Sequence, residues 1–573
     1  MGQFSVAVRV GMFVLVLSPV TPTFAAEATD SPSVTSPERP ITAGPMANAG
    51  GEVLYNGIKL PSPWPPGYGT DDPLKIPDPL PTPYYILSPP KVIPIDVGRQ
   101  LFVDDFLIES TTLNRGLHEA EYFPNNPLQQ GSPYSGGIWW DPKDNTLKMW
   151  LGSALMTSRD GIHWATPPTL KGKPLIRGMH SSSIWLNSDA TDPNKRFVAI
   201  YTVTFEPKGY CRYWFRFSPD GITWSEKHAT NADCGDRSTA FYNPFRKVWV
   251  YSIRHGWINP RYRRYWEMRD LEVGPYWNND EKQGPIIRAP YWVGADSLDF
   301  TRQDVLDTEW VVQLKKGTEP KAGAPCQLYN LDELAYESLM LGFFTIWRGQ
   351  PDNDSKSNDL CMGFSRDGWS WVRPDRLPLI AMPNTQGKNL GTHLNMQSAV
   401  GGCLIMCDKL YVYATHSGLW LGIMRRDGFV SMDAGNMEGT LTTRTVKFKG
   451  KHLFVNLDAP AGVLKVEVLD EAGNVIAPFT KANCIPVSGD KTLQKVAWMG
   501  AEDLASLSGK PVRFRFYLTK GKLYAFWVSP EASGASYGYT GGGGPGFTGS
   551  TDTVGLKAYE AAKVVPPPVM TVK

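Results

Sequence analysis

Ser158-Arg-Asp-Gly-Ile-His-Trp164 is the first copy of a pattern, S-x-D-G-x-x-W, that recurs at Ser218–Trp224 and Ser365–Trp371 and, in degenerate form, at residues 426–428. In such a turn the Asp side chain accepts backbone hydrogen bonds from residues that follow it, the Gly supplies a positive φ, and the Trp packs beneath. We therefore expect the copies to be structural turns that close a repeating unit. The alternative is that the Asp side chains contact a ligand.

A second series of turns has equal spacing. These turns lie 51 residues apart, each between two apolar, aromatic-rich runs, at Asp141-Pro142, Asp192-Pro193 and Asn243-Pro244. Repetition of one unit of about 50 residues with four strands is typical of a β-propeller. The interval from Asp220 to Asp367 is 147 residues, against 60 between Asp160 and Asp220, which fits two units and an insertion. The sequence therefore predicts five blades.

The predicted fold class is all-β, with a five-bladed β-propeller followed by a C-terminal antiparallel β-sandwich. The propeller is expected at residues 95–439, where the repeats lie, and the sandwich at residues 440–530, where short strands alternate in polarity. Residues 27–94 are rich in proline, which removes backbone donors, and are expected to form a linker or a strap on the body. Residues 531–573, with the Gly541–Gly544 run, are expected to be a mobile end.

The N-terminus and the composition restrict the location and the class of partner. Arg9 and the apolar run Val10–Val20 are typical of a secretory signal peptide, assigned to residues 1–26, so we expect a secreted or periplasmic protein. No other stretch of the sequence approaches the ~20 apolar residues of a membrane span. The net charge of +2 over 573 residues argues against a nucleic-acid binder. We expect a monomer whose seven cysteines allow disulfides, with Cys403 and Cys407 packed in the core.

The starts of the inner strands predict where the chemistry lies. In a propeller these strands begin at a central channel, so their first residues converge on one funnel. Counting back from the turns places Tyr134, His180 and Asp236 there. The comparable starts of the last two blades are Glu337 and Gln397.

Two of these residues are carboxylic acids in different surroundings. Glu337 lies among apolar residues, and partial burial raises a carboxyl pKa as a general acid requires. Asp236 is followed by Arg237, a cation that favours the ionised form. Such a pair is typical of glycoside hydrolysis, in which one carboxyl protonates the leaving oxygen and another activates water or attacks carbon. The alternative is that Asp236 caps a turn and Glu337 pairs with a surface arginine.

Further polar residues complete the predicted site. Asp105 is the candidate third carboxylate, with a charge-protected strand edge as the alternative. Arg254 and His255 begin an Arg- and aromatic-rich run that suits sugar faces and acidic substituents such as carboxylate or sulfate, with a solvated loop as the alternative. The predicted substrate-binding residues are Tyr134, His180, Arg237, Gln397, Arg254, His255 and, at the funnel mouth, Arg115 and His118.

This layout resembles the five-bladed β-propeller glycoside hydrolases of the invertase, levanase and arabinanase group, with an accessory β-sandwich. Gly98–Ile108 and residues 441–526 also resemble secreted bacterial proteins of that architecture. The resemblance implies that Asp236 is the middle aspartate, which tunes a pKa or stabilises the transition state, and that Glu337 is the acid. The chain departs from the group in its first blade, where Tyr134-Ser-Gly-Gly137 replaces an aspartate motif. Asp105 is therefore our substitute for the nucleophile or base.

Together these observations predict a glycoside hydrolase that acts on a neutral or acidic polysaccharide or oligosaccharide. By analogy with the arabinanases we expect inversion, which requires about 6.5–9.5 Å between acid and base. No cofactor is expected, and a structural calcium ion in the channel near His180 is left open. One alternative is a sialidase-like six-bladed hydrolase, because S-x-D-G-x-x-W is similar to an Asp box. The other is a non-catalytic carbohydrate-binding propeller.

Overall fold

The computed structural model describes residues 50–131, 136–151, 154–176, 181–205, 210–255, 261–272, 289–299, 326–348, 357–381, 394–416 and 418–563. All of them belong to one unit, which spans residues 45–573. The predicted signal peptide lies outside the described residues. Within the described ranges, none of the helices has the length and apolar character needed to cross a membrane.

Five antiparallel sheets form the body of the protein. Each begins with an inner strand, and the five inner strands contact one another in order and close into a ring around one axis. From the axis outwards, the first three blades are Ile138–Asp141, Thr146–Leu151 and Ala154–Ser158; Ser181–Leu186, Phe197–Phe205, Tyr210–Ser218 and His228–Cys234; and Thr239–Asn243, Val248–His255, Tyr262–Met268 and Tyr291–Gly294. The last two are Gln327–Glu337, Leu339–Trp347, Ser357–Ser365 and Pro378–Ile380; and Gln397–Met406, Lys409–Thr415 and Gly418–Arg425. The predicted five blades are confirmed, and the six-bladed alternative is wrong.

The chain before the first blade closes the ring. Glu121–Tyr122 and Gln129–Gln130 pair antiparallel with Gly418–Arg425, the third strand of the fifth blade. The short strand Leu394–Asn395 pairs in parallel with Ser357–Ser365 of the fourth blade. The two ends of the propeller are therefore joined by backbone hydrogen bonds, which cover a sheet edge that would otherwise be open.

The S-x-D-G-x-x-W segments are structural turns. In the first copy, one Asp160 oxygen accepts the backbone N–H groups two and three residues further on, at 2.9 and 2.8 Å. Gly161 has a φ of 74°, and its carbonyl accepts a hydrogen bond of 2.7 Å from the Tyr413 hydroxyl of the fifth blade. In the same way, the Trp150 indole of the first blade donates to the Gly221 carbonyl of the second blade at 3.0 Å. The turns fix each blade to a neighbour, so the structural interpretation of the pattern is confirmed.

A curled antiparallel sheet, with nine strands in the described chain, stands beside the propeller. Its strands in order are Ile108–Thr111, Gly439–Thr443, Arg513–Thr519, His452–Leu469, Gly521–Ser529, Val430–Ala434 and Asn114–Leu117, with Gln100–Leu101 and Val487–Lys495 off this path. The long strand His452–Leu469 pairs with Gly521–Ser529 along its first half and with Arg513–Thr519 along its second half, so the sheet bends. Residues 100–117 and 430–434 belong to this sheet, although the sequence assigned them to the propeller.

Residues 50–92 form a strap on the propeller. Trp64 and Tyr85 are buried, and the Asn56 amide donates to the Arg366 carbonyl at 3.0 Å. The remaining short elements are the parallel pair Ile93–Pro94 and Val446–Lys447, the helices Tyr84–Leu87 and Leu556–Lys563, and the 3-10 turns Pro73–Lys75, Pro168–Leu170, Pro193–Lys195 and Ala505–Leu507. The strap therefore adds buried aromatic surface to the core instead of extending into solvent.

The C-terminal glycine run crosses one end of the propeller. The strand Tyr539–Thr540 pairs with the end of the inner strand Gln327–Glu337. The Gly542 N–H donates to the Cys403 carbonyl at 2.9 Å, and the Gly542 carbonyl accepts from the Trp140 N–H at 2.8 Å. The segment thus bonds to the first, fourth and fifth blades. The expectation of a mobile end is wrong for residues 539–544.

Replacement of Gly542 tests this crossing. A Cβ at Gly542 would lie 2.0 Å from the Gly401 carbonyl oxygen. Because that neighbour is backbone, Gly542→Ala should lower the free energy of unfolding by about 1–3 kcal/mol. Gly435→Ala is the matched control, since no atom lies within 4 Å of a Cβ added there. Urea denaturation measures both variants, and equal stability would contradict the close crossing.

Candidate functional site

The axis of the propeller has two ends, and the predicted site residues divide between them. The inner strands begin at one end of the axis, which we call the channel mouth. They finish at the other end, which we call the far end. Asp236 and Arg237 directly precede the inner strand Thr239–Asn243, and Gln397 begins Gln397–Met406, so these three residues lie at the channel mouth. Tyr134 and His180 lie outside the described residues, and their role stays a prediction.

Glu337 lies at the far end, so its predicted position is wrong. It is the last residue of the inner strand Gln327–Glu337, where the sequence interpretation expected the first. Its φ of 49° turns the chain directly into Leu339–Trp347. The prediction took the second strand of the fourth blade for the first.

A set of buried charges encloses Glu337. Arg426 contacts its Oε1 at 3.0 Å and Arg99 does so at 3.4 Å. Arg99 also pairs with Asp427 at 2.8 Å, and Arg426 pairs with Asp552 at 3.3 Å. Burial raises the pKa of Glu337 against the effect of the two arginines. We call these five residues the buried ion network. Because Glu337 lies at the far end and its carboxylate is paired with two buried arginines, we do not retain it as a catalytic acid.

Three further predicted residues belong to the curled sheet. Asp105 is exposed and accepts a hydrogen bond from Arg115, which lies on the strand Asn114–Leu117 of that sheet. His118 follows this strand, and its Nε2 lies 2.8 Å from the Ser431 hydroxyl. The prediction that these residues reach the channel mouth is wrong, because residues 100–117 pair with the C-terminal strands. Asp105 therefore does not substitute for the missing carboxylate of the first blade.

Asp236 stands on a tight turn that leads into the third blade. Arg254 donates a hydrogen bond to its Oδ1, and 37% of the Asp236 side chain is exposed. Arg237 has a φ of 56°, and its N–H donates to the Ser181 hydroxyl of the second blade at 3.0 Å. A Cβ on Gly235 would lie 2.8 Å from the Arg254 carbonyl oxygen, so glycine permits the turn. The turn thus holds an accessible carboxylate beside a guanidinium.

Arg263 connects the third blade to the fourth at the channel mouth. Its buried guanidinium donates to the Arg237 carbonyl at 2.8 Å and to the Asn330 side-chain oxygen at 3.3 Å, and it also contacts the Tyr329 carbonyl. Burial, followed by the nearby Arg254, lowers the pKa of Arg263 to about 9. The cation is therefore held mainly by the orientation of neutral oxygen atoms.

Asp332 is a candidate that the sequence interpretation missed. Its Oδ2 accepts a hydrogen bond of 2.9 Å from the Asn330 amide and another from the Ser398 hydroxyl of the fifth blade. The signal was present as the acidic pair Asp332-Glu333 inside the apolar run 328–336. Hydrogen bonds now connect four blades around the axis through residues that we call the mouth ring: Ser181, Arg237, Arg263, Asn330, Asp332 and Ser398.

The neighbouring Glu333 has a different environment. Adjacent residues of a strand point to opposite faces, so Glu333 is directed away from Asp332. Both of its carboxyl oxygens are buried and have no hydrogen-bond partner among the described residues. Burial, followed by the charges of Asp332 and Asp367, raises the pKa of Glu333 well above its usual range. We interpret Glu333 as a buried acid of the core.

Cationic side chains of the third blade surround this part of the channel mouth. Arg261 donates to the Gln327 side-chain oxygen at 2.7 Å. Burial and Arg261 lower the pKa of Arg254 to about 10. Burial, Arg264 and Arg254 lower the pKa of His255 to about 4, so this imidazole is neutral near pH 7. Since mutual repulsion disfavours these cations, a bound anion would stabilise them.

Across the described ranges, no group of three His, Cys, Asp or Glu side chains is arranged to hold a metal ion. The seven cysteines are free thiols in the structure, and six of them are buried. Burial raises the pKa of Cys403 to about 12, which agrees with its predicted packing in the core.

Solved structures are the known proteins to which this chain is similar. No protein-family model and no curated protein sequence matches the chain. It is similar in structure to a glycoside hydrolase family 43 arabinoxylan arabinofuranohydrolase from Bacillus subtilis (TM-score 0.26, 10% identity, 69% of this chain and 78% of that chain). It is also similar to a mannose phosphorylase from Leishmania mexicana (TM-score 0.31, 9% identity, 54% of this chain and 89% of that chain). A third similar structure is a β-1,2-mannobiose phosphorylase from Listeria innocua (TM-score 0.28, 9% identity, 58% of this chain and 89% of that chain). The number of blades follows from the ring of contacts between the five inner strands.

A substitution separates a structural Glu337 from a catalytic one. Removal of one charge from a buried pair leaves its partners uncompensated, so Glu337→Gln should lower the free energy of unfolding by about 3 kcal/mol. Glu438→Gln, which breaks an exposed pair with Lys481, should change it by less than about 1 kcal/mol. Chemical denaturation measures both. Unchanged stability of the Glu337 variant would contradict the structural role.

His255 predicts a pH dependence of stability. Because its folded pKa lies near 4, below the usual 6.5, the unfolded chain takes up a proton between pH 6.5 and 4 while the folded chain does not. The folded state is therefore destabilised as the pH falls through this window, by about 2–3 kcal/mol from this group. His255→Gln should remove that loss in denaturation measured at pH 7 and pH 4.5. The exposed His163, replaced in the same way, is the control, and identical pH dependence of the His255 variant and wild type would disprove the assignment.

Proposed function

We propose that this protein is a carbohydrate-active enzyme that cleaves a glycosidic bond at the channel mouth, with Asp236 and Asp332 as its catalytic carboxylates. The observation that carries the proposal is the mouth ring, in which hydrogen bonds bring polar groups of four blades together around the axis. Glycoside cleavage requires a pair of carboxyl groups in different surroundings. The two aspartates meet that requirement, since one stands beside a guanidinium and the other accepts from an amide and a hydroxyl.

The surroundings suggest how the two roles divide. We assign Asp236 the role of base or nucleophile, because the adjacent Arg254 favours the ionised carboxylate. We assign Asp332 the role of acid, which gives its proton to the leaving oxygen. Asn330 and Ser398 hold its side chain in place for this step and fix its distance from the axis.

The leading candidate is hydrolysis, in which water attacks the anomeric carbon. Phosphorolysis is the second candidate, and the arginines of the third blade favour it. Arg254, Arg261 and Arg263 lie at or beside the channel mouth, and a phosphate dianion there would pair with guanidinium groups. In that reaction a phosphate oxygen attacks the anomeric carbon, the glycosidic C–O bond breaks, and the acid protonates the departing oxygen. The same cations would accept a carboxylate or sulfate substituent of an acidic glycan.

Carboxylate substitutions test the site. Asp332→Asn and Asp236→Asn should each lower kcat/KM by at least about 100-fold, because general acid–base catalysis contributes factors of this size. Turnover of a panel of neutral and acidic polysaccharides is followed by reducing-sugar release without phosphate and by sugar 1-phosphate formation with phosphate. Asp105→Asn, an exposed acid of the curled sheet, should leave both rates unchanged.

The outcomes are distinct. Reducing-sugar release without phosphate supports a hydrolase, and strict dependence on phosphate supports a phosphorylase. Full activity of both aspartate variants in folded protein would disprove the assignment of the carboxylates. Absence of turnover on the whole panel with retained glycan binding would favour the non-catalytic carbohydrate-binding propeller.

A further inference from the structure

The far end of the propeller carries a cleft that the mouth chemistry does not use. It is a partly open cleft between the blades and the C-terminal segment. Its walls are the aromatic side chains of three successive blades and of the C-terminal segment, Trp139, Trp140, Trp185, Tyr242, Trp249 and Tyr539. We name it the aromatic cleft. Polar groups stand at its margin, namely Asn187, Ser188, Asp189 and Ser550.

The indoles of the aromatic cleft are held in fixed positions. The Trp139 N–H donates to the Ile184 carbonyl at 2.6 Å, and the Trp185 N–H donates to the Ala240 carbonyl at 2.9 Å. The ring centroids of Trp139 and Trp185 lie 4.8 Å apart, and those of Trp185 and Trp249 lie 6.2 Å apart. A ligand therefore meets a wall that is already ordered, so little binding free energy is lost in ordering these side chains.

Several residues that line the cleft carry polar groups. Tyr242 and Tyr539 each bring a hydroxyl, and Trp249 brings an indole N–H. Asp189 is exposed and accepts a hydrogen bond from the Ser550 hydroxyl. The cleft thus combines apolar ring surface with donors and one charged acceptor, as small-molecule sites do.

The glycine segment gives the cleft its remaining wall. Gly541, Gly542, Gly543 and Gly549 line it with backbone only. A Cβ on Gly543 would lie 2.9 Å from the Trp140 Cβ, and one on Gly542 would meet the Gly401 carbonyl. Side chains here would displace the segment or fill the space, so the glycines keep the cleft open.

We propose that the aromatic cleft binds one sugar ring of a glycan, separately from the channel mouth. The C–H face of a pyranose matches the indole wall, and its hydroxyls can accept from Tyr242 and Trp249 and donate to Asp189. An acyl chain would leave these polar groups unpaired, which costs binding free energy. An anionic ligand would face the carboxylate of Asp189. The ligand class rests on the proposed function, since a polymeric substrate of the mouth would supply the second ring.

Binding of methyl glycosides tests the proposal. Methyl β-xylopyranoside, methyl α-mannopyranoside and methyl β-glucopyranoside are titrated at millimolar concentration, with tryptophan fluorescence and calorimetry as readouts. At least one should bind the wild type. Tyr242→Phe and Asp189→Asn, which each remove one polar contact and keep the shape, should raise its Kd at least fivefold. Tyr517→Phe and Asp105→Asn in the curled sheet are the matched controls and should leave the Kd unchanged.

The mouth variant Asp332→Asn separates the two proposals. Retained binding of the glycoside by this variant, with loss by the cleft variants, supports a second site. Loss of binding in Asp332→Asn but not in the cleft variants would overturn it, as would absence of binding by an enzyme that cleaves glycans at the mouth. Cleft binding in a protein without any turnover would overturn the proposed function alone.

Discussion

The buried ion network is the interaction on which the arrangement of the molecule depends. Its five members come from chain segments around residues 99, 337, 426 and 552, so one cluster joins the curled sheet, the fourth blade, the fifth blade and the C-terminal segment. Three carboxylic acids face two guanidinium groups without exposed surface, and desolvation of such charges is costly unless each is paired. Burial opposes ionisation of Asp427, but Arg99 and Arg426 lower its pKa, whereas the pKa of Glu337 is raised.

This network anchors the C-terminal segment that crosses the far end of the propeller. The same Glu337 that it encloses ends the inner strand with which Tyr539–Thr540 pairs, and the glycine run then continues across the first and fifth blades. Backbone hydrogen bonds from Gly542 and Gly543 occupy strand ends that would otherwise face solvent.

The sequence predicted the parts of the fold that local chemistry determines. The S-x-D-G-x-x-W turns need only their own side chains and one glycine, so their role followed from the pattern. The position of Asp236 was predicted correctly because the Asn243-Pro244 turn shows where the strand that follows Asp236 ends. The fourth blade lacks such a marker: Glu337 and Ser338 alone join its first two strands, and both strands are apolar, so the register was lost. Asp105 was misplaced because pairing of Ile108–Thr111 with Gly439–Thr443 spans more than 300 residues, which no local pattern reports.

The missed Asp332 and the aromatic cleft follow from one rule about the inner strands. In the first three blades each strand runs from small residues at the channel mouth, such as Gly137, Ser181 and Thr239, to Trp or Tyr at the far end. Small side chains leave room around the axis for polar groups of adjacent blades to bond one another, as Asn330, Asp332 and Ser398 do. Large rings at the other end fill the space between blades and leave only the cleft. Because a single strand of four to six residues carries both features in these blades, a shift of its register would move polar groups into the aromatic end and remove both sites together.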